Sequence, residues 1–551
     1  MHGDFFAETP SDVARRIIRA ERLGDSTLQR PTHHYQDAYE MLNGPPISFA
    51  GHKVGLDELG HVAVVGASGA GKNFTMGPTA RTLIEAVRAD PSRRLLILET
   101  KEDFLKAVRA GGVLYELVTF TYKDGKTWNI ARDFASPQLI AQLGYVLFPE
   151  MEGNNAFFRN AGRALFVASV ISIHQVTEGV WGMDDLVNVA LADPVILKRI
   201  LRQSEPGQWV LNTLFAGKDG EEHLNKVRTE VMSRVWLYLM TPAAKYQHSE
   251  SGISLVDFWK GHTEASILVV KINPEKYDVE RPIAQAIISR SLDIIMASPE
   301  SDKKDKIVVA DDFNFYGPIP KFREASELIR GRGGLLFILF QSIEGLRAKD
   351  SYDDRAEAVL ANFSWKIMLR ASSPETARWC ASQFGRDVVR ETDVGVSFDK
   401  RGTSGKEENR RSVENIVHER TFLNLPLPSK AHGITLYLKT PKWGEELEKH
   451  LPWDQVVKRH PPRTKKVILR PLPPDQELPS LWSNARSDWL ITGERPSEDE
   501  PKPTNRPKNQ GVMDNFEIFE SELRGCVYDE VLNVIKDMAV YLEIPDDNTA
   551  D

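Results

Sequence analysis

The chain has 551 residues and a formal net charge of −8 at pH 7. This length exceeds what one hydrophobic core organises and predicts two to four domains, and the acidic balance argues against a surface that coats nucleic acid indiscriminately. The two cysteines, Cys380 and Cys526, exclude a disulfide-stapled fold and favour a reducing compartment. The longest strongly apolar run, 164–173, is far shorter than the roughly 20 residues that span a bilayer, so we expect a cytoplasmic protein.

The chain begins with residues 1–45, whose amphipathic and polar stretches predict an N-terminal arm. Short apolar runs broken by glycine follow, and two of them, 61–66 and 94–99, have the continuous apolar character of buried strands. Residues 46–135 are therefore predicted to form the first part of an α/β domain. In residues 136–262 apolar side chains recur at helical spacing, which predicts an all-α domain inserted into it.

Strand patterns return after the helical insertion, at residues 265–272, 306–310, 335–340 and 365–369. They alternate with helical segments, which is the order expected of an α/β domain with a mainly parallel sheet. Residues 263–455 are therefore predicted to be the second part of this domain. Within them, residues 399–411 are polar and rich in lysine and arginine, which predicts a loop.

Three segments follow this domain. Residues 456–491 are interpreted as a C-terminal extension. Residues 492–511 are rich in Pro, Glu, Lys and Asn, the composition of a disordered linker that cannot bury enough apolar surface to order itself. In residues 512–545 apolar side chains recur every three or four positions, which predicts an amphipathic tail helix. Docking of a partner and packing against the body of the protein are both open for this helix.

A glycine-rich turn lies between the first buried strand and the helix after it. Gly66, Gly71 and Lys72 match the Walker A pattern G-x-x-x-x-G-K in the strand–turn–helix context that it requires. The backbone N–H groups and the helix N-terminus attract phosphate, and the Lys72 ammonium adds a full charge. We therefore expect ATP with Mg²⁺ as the cofactor. The predicted nucleotide-binding residues are Gly66, Ala67, Ser68, Gly69, Ala70, Gly71, Lys72 and Asn73.

Two carboxylates, Asp311 and Asp312, end the strand pattern at 306–310. Asp311 is predicted to hold Mg²⁺ together with Asn73, which stands where a Ser or Thr hydroxyl is usual, and Asp312 to polarise the attacking water. Glutamate is usual at the second place, and the shorter aspartate predicts slower hydrolysis. Gln341 follows the strand at 335–340 and is predicted to sense the γ-phosphate. For Asp311 and Asp312 the alternative is a strand-end turn with two solvated carboxylates. For Gln341 the alternative is a plain cap at the end of the strand.

The chain resembles the type IV coupling proteins, the TraG branch of the FtsK/HerA ATPase superfamily. The blocks that carry this resemblance are, in order, 66–72, 95–104, 157–165, 311–313 with Gly317 and Pro320, 333–342, 360–362 with 369–370, and 423–426. The resemblance implies a RecA-like P-loop NTPase domain interrupted by the all-α domain. It also implies a hexameric ring of the chain with nucleotide at its interfaces, and a central channel for DNA or protein.

The sequence departs from the family pattern at several places. The family block Asp-Pro-Lys-Gly-Glu stands here as Glu99-Thr-Lys-Glu-Asp103, and Asp312 replaces the usual glutamate. Asn73 stands where the family often carries glycine. No transmembrane hairpin precedes the nucleotide domain in this sequence, so we expect a form without the membrane anchor.

Ring ATPases complete each site with an arginine from the neighbouring subunit, which neutralises charge on the transferred phosphoryl group. Arg330 and Arg332 are the candidates, with Arg332 taken as catalytic, and a solvated surface role is the alternative.

The leading prediction is an ATP-driven ring translocase that moves or recruits DNA or protein for conjugation or secretion. The expected partners are DNA or protein cargo, an adaptor or relaxase-like protein at the tail helix, and a membrane-anchored secretion partner that recruits the chain to the inner membrane. Asn73 and Asp312 leave open a weakly hydrolysing or non-hydrolysing adaptor. The missing anchor leaves open a HerA-like DNA-processing motor.

Overall fold

The computed structural model describes residues 21–22, 42–120, 126, 128–150, 156–216, 220–246, 252–349, 351–399, 402–442 and 444–456. These residues divide into two compact units, of which the first contains the described residues up to 82 and from 338 onward, and the second contains those in 83–337. The segments predicted at 492–511 and 512–545 lie outside the described residues. The domain boundaries drawn from the sequence stay predictions.

The strands are β1 (Glu21–Arg22), β2 (Pro46–Phe49), β3 (His52–Gly55), β4 (Val62–Val65), β5 (Arg94–Glu99), β6 (Tyr115–Thr119), β7 (Ile267–Lys271), β8 (Ser301–Ala310), β9 (Arg332–Phe340), β10 (Trp365–Met368), β11 (Arg386–Asp399), β12 (Gly402–Asn415), β13 (Ile434–Thr440) and β14 (Gly444–Leu451). The helices are α1 (Lys72–Ala89), α2 (Asp103–Gly111), α3 (Ile130–Asp133), α4 (Pro137–Leu147), α5 (Ala156–Val176), α6 (Met183–Leu191), α7 (Pro194–Leu201), α8 (Glu205–Leu214), α9 (Gly220–Tyr246), α10 (Leu255–Lys260), α11 (Tyr277–Met296), α12 (Phe322–Leu328), α13 (Ile343–Leu346), α14 (Ala356–Ala361), α15 (Pro374–Ser382), α16 (Glu419–Asn424) and α17 (Trp453–Val456).

The first unit is built on β4 and the strands beside it. β10 runs parallel to β4, with Trp365 opposite Val62, and β13 and β14 continue the sheet as antiparallel strands. Every residue of β4 is buried, which is the pattern of a strand covered on both faces. The last residues of β9, 338–340, also belong to this unit.

In the polar segment predicted as a loop, Asp399 and residues 402–411 belong to a long antiparallel hairpin. β11 pairs with β12 from Arg386 opposite Asn415 to Asp399 opposite Gly402, and β1 pairs with β11. The loop prediction is wrong because it relied on the lack of an apolar face. An antiparallel ribbon is held by backbone hydrogen bonds between its strands, and these form whatever the polarity of the side chains.

The second unit has β5 at the centre of its strands. In this unit the order is β9, β8, β5, β7 and β6, and β5 runs parallel to both β8 and β7. All residues of β5 are buried, and its bounds are those that the sequence predicts. A continuous apolar run covered on both faces is typical of parallel strands.

The helices from α3 to α10 make up the helical stretch of the second unit. α5 lies at its core, and every residue from Ala161 to His174 is buried. Among the described residues, α5 is the helix long and apolar enough to cross a bilayer by length and composition. In its 18-residue apolar segment, 78% is buried inside the protein. Such burial is expected of a helix that is apolar on nearly all sides and lies in a protein core.

Asp133 ties the beginning of this helical stretch to its end. Its buried carboxylate accepts hydrogen bonds from Trp128 Nε1 at 2.6 Å and from Ser254 Oγ at 2.7 Å. It also accepts them from the backbone N–H groups of Leu255 at 2.8 Å and Val256 at 2.9 Å. One side chain therefore satisfies the first N–H groups of α10 and holds them beside α3.

Candidate functional site

The phosphate loop connects β4 to α1 in the first unit. Gly69 and Gly71 have φ angles of 75° and 99°, which residues with a Cβ rarely adopt. A Cβ on Gly71 would lie 2.8 Å from Pro428 Cγ, and one on Gly66 would lie 2.7 Å from Leu369 Cβ. The loop therefore requires glycine both for its backbone angles and for its close packing.

Backbone hydrogen bonds fix the beginning of this loop. The Gly66 N–H donates to the Phe340 carbonyl at 3.3 Å, and the Ala67 N–H donates to the Arg370 carbonyl at 2.8 Å. Gln341 comes directly after Phe340, so the bond from Gly66 brings this predicted sensor residue close to the phosphate loop. The γ-phosphate-sensing role predicted for Gln341 is compatible with this position and stays a prediction.

Lys72 lies inside the loop, at the first residue of α1. Its side chain is buried, and its Nζ donates to the carbonyl oxygens of Gly66 at 2.6 Å and Ala67 at 3.3 Å. Asn73 follows as the second residue of the helix and is half-buried. The helix N-terminus and the ammonium thus meet at one place, which is the arrangement that attracts a phosphate group.

The predicted carboxylates lie in the second unit, where β8 ends beside β5. The Asp311 N–H donates to the Leu98 carbonyl at 2.9 Å, and Asp311 is almost fully buried. Asp312 has a φ of 49°, an unfavourable angle for a residue with a Cβ. Its Oδ2 lies 2.8 Å from Lys101 Nζ and accepts a hydrogen bond from Thr100 Oγ1 at 3.2 Å. These contacts hold the Asp312 carboxylate in one orientation.

A family model described as the type IV secretion-system coupling protein DNA-binding domain matches residues 54–441. The chain belongs to this family. The matched residues include the phosphate loop and both carboxylates, and the predicted resemblance to type IV coupling proteins is confirmed.

Solved structures of the coupling protein TrwB share this fold. Plasmid coupling protein TrwB in complex with ADP and Mg²⁺ is 18% identical, with 81% of this chain and 95% of that chain covered and a TM-score of 0.59. The unbound monoclinic form of TrwBΔN70 is 18% identical, with 79% and 93% covered and a TM-score of 0.57. TrwB in complex with the ATP analogue ADPNP is 18% identical, with 80% of this chain and 94% of that chain covered and a TM-score of 0.57. The curated proteins contain no match to this sequence. The predicted α/β fold with a mainly parallel sheet is confirmed.

Glu99 is a residue of this coupling-protein chain whose role the sequence did not reveal. Its fully buried carboxylate accepts hydrogen bonds from the N–H groups of Phe104 at 3.0 Å and Leu105 at 3.1 Å, at the start of α2. Burial raises the pKa of Glu99 to about 8 against the lowering effect of these bonds, and the charges of Asp311 and Asp103 add to the rise. The signal that could have pointed to it is an acidic residue directly after the apolar residues 95–98 of a buried strand.

Glu99→Gln is expected to reduce the loss of stability with rising pH. The folded pKa of about 8 lies above the ordinary 4.5, so the stability that Glu99 contributes is complete below pH 4.5 and is lost as the pH rises through 8. From about pH 6 to 8 the loss should be on the order of 2–3 kcal/mol, since the unfolded chain is deprotonated at this residue and each pH unit up to the folded pKa costs about 1.4 kcal/mol. Urea unfolding of both proteins across this range measures it.

The exposed Glu327 supplies the matched control for that measurement. Glu327→Gln is expected to keep the wild-type dependence on pH, because an exposed carboxyl group is hydrated in both the folded and unfolded chain. Identical pH dependence in the wild type and the Glu99 variant would contradict a protonated Glu99 at neutral pH.

The predicted arginines lie at the beginning of β9. Arg332 is its first residue, and its guanidinium donates to the Ser298 carbonyl at 2.5 Å, whereas Arg330 is exposed. Gln341 follows the other end of the same strand, roughly 30 Å away at 3.3 Å per residue. Arg332 and Gln341 of one chain therefore cannot meet at one phosphate group. The role predicted for Arg332 requires the nucleotide of a neighbouring chain and stays a prediction.

Proposed function

We propose that this chain is a nucleotide-driven coupling protein that binds ATP with Mg²⁺, hydrolyses it, and moves or recruits DNA or protein for a type IV secretion system. The observation that carries the proposal is the phosphate loop with Lys72 inside it, within the residues matched by the coupling-protein family. The structures of TrwB with ADP and Mg²⁺ and with ADPNP support nucleotide as the ligand.

The residues of the chain fit this ligand. Lys72 Nζ is bound to two carbonyl oxygens, which phosphate oxygens can replace, and a Cβ on Gly69 would meet nothing within 4 Å. The Asp311 carboxylate and the Asn73 carbonyl offer the oxygen ligands that Mg²⁺ prefers. When bound, Mg²⁺ neutralises charge that develops on the phosphates. Among the described residues no group of three His, Cys, Asp or Glu side chains is arranged to hold a metal, in keeping with an ion that takes most ligands from nucleotide and water.

The chain's own residues divide the work of hydrolysis in this proposal. The loop amides and Lys72 bind and orient the phosphates, and Gln341 donates to the terminal phosphate from the end of β9. Asp312 accepts the proton of the attacking water, and Thr100 and Lys101 keep its carboxylate oriented while it does so. An aspartate at this place reaches one bond less far than a glutamate, so turnover is expected to be slow.

Assembly and location belong to the same proposal. The subunits form a hexamer with nucleotide at its interfaces, where Arg332 of one subunit serves the site of the next. DNA or a protein cargo passes through the ring, and an adaptor or relaxase-like protein docks on the predicted helix at 512–545. The chain is cytoplasmic, and a membrane-anchored secretion partner recruits it to the inner membrane. Family membership supports DNA and secretion-system partners in general.

One experiment tests the hydrolysis and DNA parts together. ATPase activity of the full chain is measured with Mg²⁺, without DNA and with single- or double-stranded DNA, while the oligomer mass is recorded in the same buffer. We expect slow basal turnover, assembly of the chain when nucleotide is present, and at least severalfold stimulation by one form of DNA. A chain that stays monomeric and binds ATP without ever hydrolysing it would overturn the proposal.

A further inference from the structure

Two aromatic side chains form a surface directly beside the phosphate loop. Phe74 lies two residues after Lys72 and, although large and apolar, is 45% exposed. Its ring centroid lies 5.0 Å from that of Trp453, with the two ring planes inclined by 50°. Trp453 is half-buried at the first residue of α17. Exposed phenylalanine at this place is not explained by the core of the protein.

The position of Phe74 on α1 separates it from the packing face of the helix. Met76, Ala80, Leu83 and Val87 are buried and recur at the spacing of one helical face. Phe74 lies on the other side of this helix, in the first turn and about 3 Å along the axis from Lys72 at a rise of 1.5 Å per residue. Because side chains on a helix lean toward its N-terminus, the exposed Phe74 ring lies near the end of α1 at which phosphate is expected to bind.

Trp453 is held at this place by the end of the hairpin formed by β13 and β14. Ile434, the first residue of β13, pairs with Leu451, the last residue of β14, which lies two residues before Trp453. The Ile434 Cδ1 atom lies 3.4 Å from the position that a Cβ on Gly71 would occupy. The strand that packs against the phosphate loop is thus the one that anchors Trp453 beside Phe74.

We propose that Phe74 and Trp453 form the binding surface for the nucleobase of the nucleotide whose phosphates occupy the loop, an inference that rests on the proposed function. The occupant is the planar base of the nucleotide. This base is joined through the ribose to the phosphates at the adjacent helix N-terminus, which places it within reach of the aromatic pair. Stacking on an aromatic ring uses the face of the base, which every base possesses. Adenine and guanine nucleotides should therefore both gain from this surface.

The test compares a nucleotide with a ligand that has only its phosphates. Binding of ATP, GTP and inorganic tripolyphosphate with Mg²⁺ is measured by calorimetry for wild type, Phe74→Ala and Trp453→Ala. Each variant should bind ATP and GTP roughly 5- to 150-fold more weakly, the range expected for one aromatic–base stack, with tripolyphosphate binding unchanged. Trp453→Phe keeps an aromatic face and should restore most of the ATP affinity.

Leu427→Ala is the matched control, since Leu427 is another large apolar side chain of the first unit and is 54% exposed. It should bind all three ligands as the wild type does. Unchanged ATP affinity in both aromatic variants would overturn the stacking surface and leave the proposed function intact, and would favour a protein partner as the occupant. Equal weakening of ATP and tripolyphosphate would also overturn it, because the variants would then act on the loop itself. Failure of the wild type to bind either ligand would overturn the proposed function first and this inference with it.

Discussion

Replacing Lys72 by methionine is expected to lower ATP hydrolysis at least about 100-fold, the cost typical of removing one preorganised charge from a transition state. Lys72 Nζ lies inside the phosphate loop, 2.6 Å from the Gly66 carbonyl, so its charge is already placed where phosphate oxygens would bind. Methionine retains most of the length and the apolar stem, so the fold should be kept. Steady-state ATPase rates with and without DNA measure the effect.

A control and a folding test make this result specific. Lys53 is an exposed lysine of the first unit, and Lys53→Met should keep wild-type turnover. The thermal unfolding of Lys72→Met should stay close to that of the wild type. Hydrolysis that survives within a few-fold of wild type would show that the loop is not the catalytic site.

Replacing Asp133 by alanine is expected to destabilise the protein by about 3–5 kcal/mol, since it removes the acceptor of four hydrogen bonds, three of them buried, and leaves their donors unsatisfied. The donors are Trp128 Nε1, Ser254 Oγ and two backbone N–H groups of α10. Loss of this carboxylate should release the end of the helical stretch from its beginning. The free energy of urea unfolding measures the effect.

Two further variants define what Asp133 contributes. Asp133→Asn keeps the shape and one carbonyl acceptor, so it should lose less stability than Asp133→Ala. Asp302 is exposed on β8, and Asp302→Ala should change stability by less than about 0.5 kcal/mol. An alanine variant at 133 as stable as that at 302 would contradict the structural role of the Asp133 carboxylate.

Several parts of the molecule follow from local sequence patterns. The apolar residues 95–98 within the predicted strand 94–99 indicate β5, because a strand covered on both faces carries consecutive apolar residues, and the observed bounds agree. The glycines at 66 and 71 and Lys72 predict the strand, turn and helix that the structure shows. The helical spacing in 157–170 likewise predicts α5. Each of these signals lies within a single element and needs no knowledge of distant residues.

Other parts depend on residues far apart in the chain. The hairpin of β11 and β12 escaped prediction because pairing between backbones does not require an apolar pattern. The contacts of Lys101 and Thr100 with Asp312 join residues more than 200 positions apart, since β5 and β8 are neighbours only in the folded sheet. The pairing of Phe74 with Trp453 has the same origin.

The sequence by itself determined the phosphate loop, the alternation of strands and helices, and the coupling-protein family, because these depend on spacings within short segments. Only the tertiary structure decided which side chains accompany them. It buried Glu99, joined Asp312 to Lys101, closed the helical stretch on Asp133 and brought Trp453 beside Phe74. The physical reason is that the order of strands in a sheet is set by packing over the whole domain, which local periodicity does not encode.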